Sequence, residues 1–134
     1  MSEQQQTLTI QQAIDLALQH HKEGRLSQAE TIYQQILQSI PNQPDALHFL
    51  GVLSHQTGKT DTAVDLINHA IQIKPDYPEA LSNLGLVLQA LGKSEEAVIS
   101  YRKAIAIKPD YVEAHNNLGI VLTSLGKLEE AVAS

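Results

Sequence analysis

The segment PEALSNLGLVLQALGKSEEAVIS, from Pro78 to Ser100, decides the fold, because the chain repeats it 34 residues later as VEAHNNLGIVLTSLGKLEEAVAS, from Val112 to Ser134. Fifteen of the 23 aligned positions are identical. The tetrapeptide Lys-Pro-Asp-Tyr directly precedes both copies. An internal repeat of this length is typical of solenoids, in which each unit is one supersecondary structure that buries its apolar face against its neighbours.

The same offset continues towards the N-terminus and divides the chain into a polar tail, residues 1–9, and four units. The units are 10–43, 44–77, 78–111 and 112–134, and the last is a truncated repeat. We expect the exposed end of this truncated unit to fray, or to be buried against another copy of the chain. The columns that mark the units are glycines 24, 58, 92 and 126, alanines 29, 63, 97 and 131, and prolines 41, 75 and 109.

Each unit predicts two antiparallel helices joined by a short turn. In the third unit Leu81, Leu84 and Leu88 recur at helical spacing and form one apolar face. Gly92 then falls where a helix ends on a left-handed residue, and Pro109 blocks continuation of the second helix. Four such units predict an all-α fold of eight helices, the last of them incomplete. In the first unit, Ser27 and Glu30 fit a capping box at the start of the second helix.

Composition excludes several classes of protein. The 134 residues carry a formal net charge of −6, which does not suit a phosphate backbone, so we expect no nucleic-acid partner. The sequence has no cysteine and therefore no disulfide or thiolate metal site. It has neither an apolar signal segment nor a run of about 18 apolar residues, so we expect no membrane association and a cytoplasmic location.

The 34-residue period, the Leu-Gly pair of the first helix and the small residues and proline of the second resemble the tetratricopeptide repeat (TPR) family. The resemblance covers residues 10–134. It implies a right-handed α-solenoid, the TPR superhelix, whose concave groove is lined by the first helix of each unit. The strings EALSNLG and EAHNNLG look like the repeats of O-linked N-acetylglucosamine transferases and related bacterial proteins, in which an asparagine precedes the Leu-Gly pair.

On the pattern of that group, Asn83 and Asn117 form an asparagine column inside the superhelix, with Phe49 in the same column of the second unit. An asparagine amide can both donate to and accept from a peptide backbone. We therefore predict that the two asparagines hold an extended peptide main chain and that Phe49 supplies an apolar pocket. The alternative is that both are solvated or bond between neighbouring first helices. The other groove residues implied by the resemblance are His48, Val52, His55, Leu86, Asn116 and Ile120.

The charges of the groove predict the chemistry of its ligand. Some family members clamp a C-terminal carboxylate with lysine, arginine and asparagine, but the matching positions of this chain carry no basic residue: Ile14, Leu18, Phe49, Glu79 and Asn83. Glu79 and Glu113 would repel a carboxylate. A neutral or basic protein or peptide segment is the expected partner.

No motif in the sequence indicates catalysis or a metal. His48 and His55 lie about 10 Å apart along a helix, too far to share one zinc ion. The sequence has no nucleophile elbow and no phosphate-binding glycine loop, so we expect no catalytic residues, no metal and no cofactor. The predicted function is a non-catalytic protein–protein interaction module. Two alternatives stay open: the substrate-recognition arm of a larger enzyme such as a glycosyltransferase, and a scaffold that self-associates through the truncated C-terminal end.

Overall fold

The computed structural model describes residues 8–133, with side chains described as far as Lys127. Within that range the chain forms seven α-helices and no strand. Helices that are adjacent in sequence pack on each other, and the first helices of successive pairs also touch, which makes the fold an α-solenoid of helix pairs. The helices are α1 (Ile10–Lys22), α2 (Leu26–Ser39), α3 (Pro44–Gln56), α4 (Thr60–Ile73), α5 (Pro78–Ala90), α6 (Ser94–Ile107) and α7 (Val112–Ala133).

The turns inside the first three pairs follow the predicted glycine column. Gly24, Gly58 and Gly92 have φ angles of +83°, +86° and +78°, a conformation that costs glycine no Cβ clash. After α5, the Lys93 N–H donates to the Leu88 carbonyl at 2.9 Å, which satisfies a helix-terminal acceptor. The reversal of the chain is therefore built into the backbone at these three positions.

The predicted capping box of α2 is wrong. This helix begins at Leu26, so Ser27 lies inside its first turn, and its N-cap residue Arg25 makes no side-chain capping bond. The tight glycine turn determines where α2 starts, and no room remains for a separate capping residue. A capping box does occur at the start of α1, where Thr9 and Gln12 bond to each other's backbone N–H groups.

The Leu-Gly pair places bare backbone where two helices of a unit cross. A Cβ added to Gly85 would lie 2.5 Å from Cε1 of Tyr101, and one added to Gly51 would lie 2.6 Å from Cγ1 of Ile67. Neither distance is compatible with a real side chain, so the large residue of the second helix packs directly on the glycine of the first. This close approach fixes how α3 packs on α4 and how α5 packs on α6.

The prediction of eight helices is wrong in the fourth unit, where residues 112–133 form one continuous helix. Gly126 lies inside α7 and does not have a positive φ. The fourth unit has Leu128 where the third has Ser94, the first residue of α6. This substitution does not explain the difference, because the first unit has Leu26 at the same position and α2 starts there. The second helices of the other units have 14 residues, whereas eight residues follow Gly126, too few to bury a comparable apolar face. The expected fraying concerns residues 128–134, whose side chains lie outside the described part.

Candidate functional site

The first helices α1, α3, α5 and α7 contact one another in order and form one continuous face, which we call the groove. Along it, one apolar column becomes more exposed towards the C-terminus: Val52 is half-buried, Leu86 is 37% exposed and Ile120 is 60% exposed. The structure places every predicted groove residue on these helices. They are His48, Phe49, Val52 and His55 on α3, Asn83 and Leu86 on α5, and Asn116, Asn117 and Ile120 on α7.

His48 lies under the groove surface, since only 1% of it is exposed. Its Nδ1 is 2.8 Å from the Tyr77 hydroxyl oxygen, and its Nε2 is 2.8 Å from Nδ2 of Asn83. The Tyr77 hydroxyl donates to Oδ1 of Asp45. Because the Asn83 N–H must donate to Nε2, the His48 proton sits on Nδ1 and donates to the Tyr77 oxygen. One neutral tautomer thus satisfies the whole chain of bonds from Asn83 to Asp45.

The environment of this chain of bonds keeps His48 neutral. Burial lowers the pKa of His48 to about 4; the Asp45 carboxylate opposes that change, and the Lys74 ammonium adds to it. Burial, together with the hydrogen bond to Asp45, raises the pKa of the Tyr77 hydroxyl. Both shifts keep the two rings in the protonation states that the hydrogen bonds require.

One amide N–H of Asn83 donates to His48, a residue of the neighbouring first helix. That contact is the alternative role considered for the asparagine column. The Oδ1 atom and the second N–H of Asn83 make no hydrogen bond within the described residues, so both groups can still meet a ligand. Asn117 is half-buried and Asn116 is exposed. Contact of either residue with a peptide stays a prediction.

Phe49 forms one wall of a cavity of about 290 Å³ between the first two units and the start of the third. Its ring stacks on the ring of His48 with a centroid distance of 4.8 Å and lies 6.2 Å from the ring of Tyr33. The stacked pair gives the cavity a rigid aromatic side. The cavity is lined by Gln11, Ile14, Leu18, Asp45, His48, Phe49, Lys74, Tyr77 and Glu79.

Two of these residues were missed by the sequence analysis. Lys74 and Tyr77 belong to the loop between α4 and α5, not to a first helix, so a list based on first-helix positions omits them. The repeated Lys-Pro-Asp-Tyr string was the signal that could have found them. This loop leads into α5, and its first and last residues, Lys74 and Tyr77, both line the cavity.

The C-terminal part of the groove is open. A shallow cavity of about 520 Å³ runs along α7 and brings Asn116 and Ile120 together with His115 and Thr123. His55, on α3, is half-buried, and its Nδ1 lies 3.5 Å from the Thr60 hydroxyl.

Within the described part of the chain, no three His, Asp or Glu side chains are grouped closely enough to hold a metal ion. In that same part, none of the helices has the length and apolarity needed to cross a bilayer.

The fold and its groove define a helical-repeat protein of the tandem helix-pair class. A model of the TPR repeat matches residues 54–92 and 90–126, more than half of the sequence. The chain belongs to the tetratricopeptide repeat family. No curated protein matches it in sequence.

Solved structures share the fold. The first TPR of Spaghetti (RPAP3), bound to the HSP90 peptide SRMEEVD, is 23% identical with a TM-score of 0.81, over 87% of this chain and 93% of that one. The Sgt2 TPR domain of Aspergillus fumigatus is 22% identical with a TM-score of 0.83, over 96% of this chain and 84% of that one. An O-GlcNAc transferase of Thermobaculum terrenum is 30% identical with a TM-score of 0.75, over 87% of this chain but 23% of the transferase.

Proposed function

We propose that this chain is a non-catalytic interaction module that binds an extended protein or peptide segment in the groove. The observation that carries the proposal is the cavity beside Phe49, which combines the apolar side chains of Ile14, Leu18 and Phe49 with polar ones and borders the stacked rings of His48 and Phe49. Asn83 lies outside the lining of this cavity but bonds to His48, and its oxygen and second N–H make no hydrogen bond within the described residues. Pockets of this kind, apolar with a few placed polar groups, are typical binding sites. The RPAP3 domain, which has the same fold, carries a bound peptide in its structure.

Each groove residue has a role in the proposal. Asn83 and Asn117 bond to the ligand main chain, with Asn116 beside them, and His48 holds the Asn83 amide in a fixed orientation. The ligand side chains pack on the apolar column and on the aromatic pair, and His55 borders them. The apolar contacts are Phe49, Val52, Leu86 and Ile120.

The exposed carboxylates on the first helices favour a neutral or basic ligand over most of the groove. Glu79 and Glu113 are both exposed, and Glu113 forms no ion pair within the described residues. A cation of the ligand near Glu113 would gain Coulomb attraction that an anion would lose.

We place this activity in the cytoplasm, where a chain without cysteines needs no oxidising environment. Fractionation of the cells that make the protein tests that location.

The test of groove binding uses the protein as bait for a synthetic library of extended peptides, followed by affinity measurement on the peptides it retains. Replacing Asn83 and Asn117 together by alanine should weaken binding of those peptides about tenfold or more, since two main-chain hydrogen bonds are lost. Asn68→Ala is the matched control, because Asn68 is an exposed asparagine of α4 outside the groove. Equal affinities for the double variant and the control would end the proposed role of the asparagines.

A second proposal is that the module is the substrate-recognition arm of a larger enzyme, such as a glycosyltransferase. The likeness to the O-GlcNAc transferase, of which the aligned region is 23%, favours it. Reading the gene on both sides of the region that encodes these repeats tests it. A catalytic domain in the same reading frame on either side would support the arm, and a reading frame that holds only further repeats on both sides would exclude it.

A third proposal is self-association through α7. Val112 and Ile120 are 68% and 60% exposed, and Leu122 on the same helix is 40% exposed. Within the described residues α7 contacts α5 and α6 but no second helix of its own unit. A solenoid unit that is not covered by a neighbour favours contact with another apolar surface. Light-scattering mass over a range of protein concentrations tests the proposal, because a constant monomer mass at high concentration would exclude it.

A further inference from the structure

Among the described residues, one side of α7 is covered by no other element. Ala114 and Val121 are buried in the cores that α7 forms with α5 and α6. The other side carries Val112 and Ile120, which are 68% and 60% exposed. Gly119 lies on that side too, and no atom is within 4 Å of the place where its Cβ would be.

The shallow cavity along α7 follows this uncovered side. We call the side the α7 face and define it by Val112, Asn116, Gly119, Ile120 and Thr123, of which all but Val112 line the cavity. A trough with a bare glycine in its lining admits the backbone of another helix at close range. The shape of the α7 face therefore suits a helix as its partner.

Two opposite charges mark the ends of the α7 face. Glu113 and Lys127 are both exposed, and neither forms an ion pair with another residue of the described range. They are 14 residues apart, which is about 21 Å and close to four helical turns, so both lie on the same side of α7. Ile120 is the midpoint between them. An antiparallel copy of α7, related by a two-fold axis at Ile120, would bring each Glu113 next to the partner's Lys127.

Another apolar surface of the chain is a less suitable partner for the α7 face. A cavity of about 400 Å³ lies at the N-terminal end of the solenoid, with Leu8, Leu16 and Ile32 in its lining, and none of its described lining residues is charged. An α7 helix docked there would leave the charges of Glu113 and Lys127 without partners. That head-to-tail contact would also be open, so further copies would continue to add. Charge complementarity therefore favours the closed two-fold contact.

We propose that the α7 face binds the α7 face of a second copy of this chain, antiparallel and about a two-fold axis at Ile120. This inference rests on the proposed self-association and deepens it, because it names the partner surface and the orientation. The two Ile120 side chains meet at the axis, and two pairs of Glu113 with Lys127 close the ends. Because Asn116 and Ile120 are also groove residues, the dimer covers the C-terminal part of the groove.

The experiment measures the mass of the full chain by light scattering at protein concentrations up to about 1 mM. The forms compared are the unmodified chain, Glu113→Lys, Lys127→Glu and the double variant that carries both changes. Glu96→Lys and Lys103→Glu are the matched controls. Both of these residues are exposed on α6, so the controls make the same two changes of charge away from the α7 face.

We expect the unmodified chain to reach the mass of a dimer and no larger mass. Each single variant should raise the dissociation constant about tenfold, because both ion pairs of the dimer change from attraction to repulsion. The double variant should restore the dimer, since it reverses both pairs, and the controls should match the unmodified chain. Glu113→Lys replaces a negative by a positive charge and changes the net charge from −6 to −4, so a general loss of repulsion between copies would have the opposite effect.

A single cysteine tests the position of the axis. The sequence contains no cysteine. Ile120→Cys should therefore oxidise to one disulfide-linked dimer, because the two-fold axis brings the two copies of this residue within the short distance that a disulfide requires. Ile99→Cys is the control, since Ile99 is 56% exposed on α6, and it should cross-link much more slowly.

Several results would overturn the inference. Masses beyond that of a dimer would indicate the head-to-tail contact. A dimer with the same dissociation constant in all forms, or equal rates of cross-linking for the two cysteine variants, would show that the copies associate in another orientation. A monomer at every concentration would instead remove the proposed self-association, and the inference with it, and would leave the proposed peptide binding untouched.

Discussion

The third and fourth units of this protein have almost the same sequence and different structures. Residues 78–100 and 112–134 agree at 15 of 23 positions, including the glycines at 92 and 126. The chain nevertheless reverses at Gly92 and continues as a helix through Gly126. A glycine at the end of a helix permits a turn, but it does not impose one.

The difference lies in what packs against the first helix of each unit. Tyr101 of α6 lies against Gly85, and it is fully buried there. In the fourth unit the 34-residue offset from Tyr101 falls directly after Ser134, so residues 112–134 contain no counterpart of this tyrosine. Gly119, the counterpart of Gly85, consequently has no atom within 4 Å of the place where its Cβ would lie. Tertiary burial by the second helix therefore stabilises the turn, in agreement with the general rule that packing outweighs local propensity.

The largest expected effect comes from adding one methyl group to each of these two glycines. Gly85→Ala should lower the free energy of unfolding by about 2–3 kcal/mol, because the new Cβ would overlap the Tyr101 ring in a close-packed core. Gly119→Ala should leave that free energy unchanged or raise it by up to about 1 kcal/mol, because alanine favours a helix. Urea denaturation followed by circular dichroism measures both. Equal effects would show that both units have the same packing.

The next effect separates the second unit from the third, which have His48 and Ser82 at the same groove position. The pKa of His48 is about 4 in the folded protein, below the ordinary value of 6.5, so the folded state binds fewer protons than the unfolded state. The contribution of His48 to stability is complete above pH 6.5 and decreases as the pH falls towards 4. Between pH 7 and pH 5 the free energy of unfolding should fall by about 2 kcal/mol more than in a chain without this histidine.

His48→Ser is the matched variant, because it gives the second unit the residue of the third. It should be less stable at pH 7, since Asn83 loses its acceptor and the Tyr77 oxygen loses its donor while Tyr77 keeps its bond to Asp45. Its stability should also change less between pH 7 and pH 5. Urea denaturation at several pH values measures the two slopes. If the slopes of the unmodified chain and the variant coincide, His48 titrates as an ordinary exposed histidine.

The smallest effect tests the turn itself. Gly92→Ala should lower the free energy of unfolding by about 1 kcal/mol, because alanine is strained at a φ of +78°. Gly126→Ala should raise it by up to about 1 kcal/mol, because Gly126 is helical. Urea denaturation of both variants measures the two changes, and a loss of stability in Gly126→Ala would contradict the expectation.

A longer chain would sharpen this last comparison. If the sequence YRKAIAI of residues 101–107 is appended after Ser134, the fourth unit gains a second helix as long as α6. We expect Gly126 then to adopt a positive φ and Gly126→Ala to become destabilising. An unchanged sign in the extended chain would show that length is not what prevents the turn.

Much of the fold could be predicted because the same sequence pattern recurs in several units. The period located the first three helix pairs, and the columns of glycine, alanine and proline explained their turns and crossings. The fourth unit could not be predicted in this way, because a pattern taken from Gly92 carries no information about whether α6 has a counterpart. The start of α2 was wrong for a related reason, since the glycine turn, and not Ser27, fixes it.

The site was harder to predict than the fold. Its residues were assigned to first helices on the family resemblance, and the structure does place them there. The sequence could not show that His48 is buried and bonded to Asn83, because that contact joins residues 35 positions apart.

The bond between His48 and Asn83 also sets which way the groove amide can turn. At neutral pH the imidazole accepts from Asn83, and the amide oxygen makes no hydrogen bond within the described residues. A doubly protonated imidazole has only donors, and Asn83 would have to rotate its oxygen inward to satisfy it. The groove would then offer N–H groups where it had offered an acceptor. Protonation of His48 would thus change the ligand group that Asn83 prefers from a peptide N–H to a peptide carbonyl oxygen.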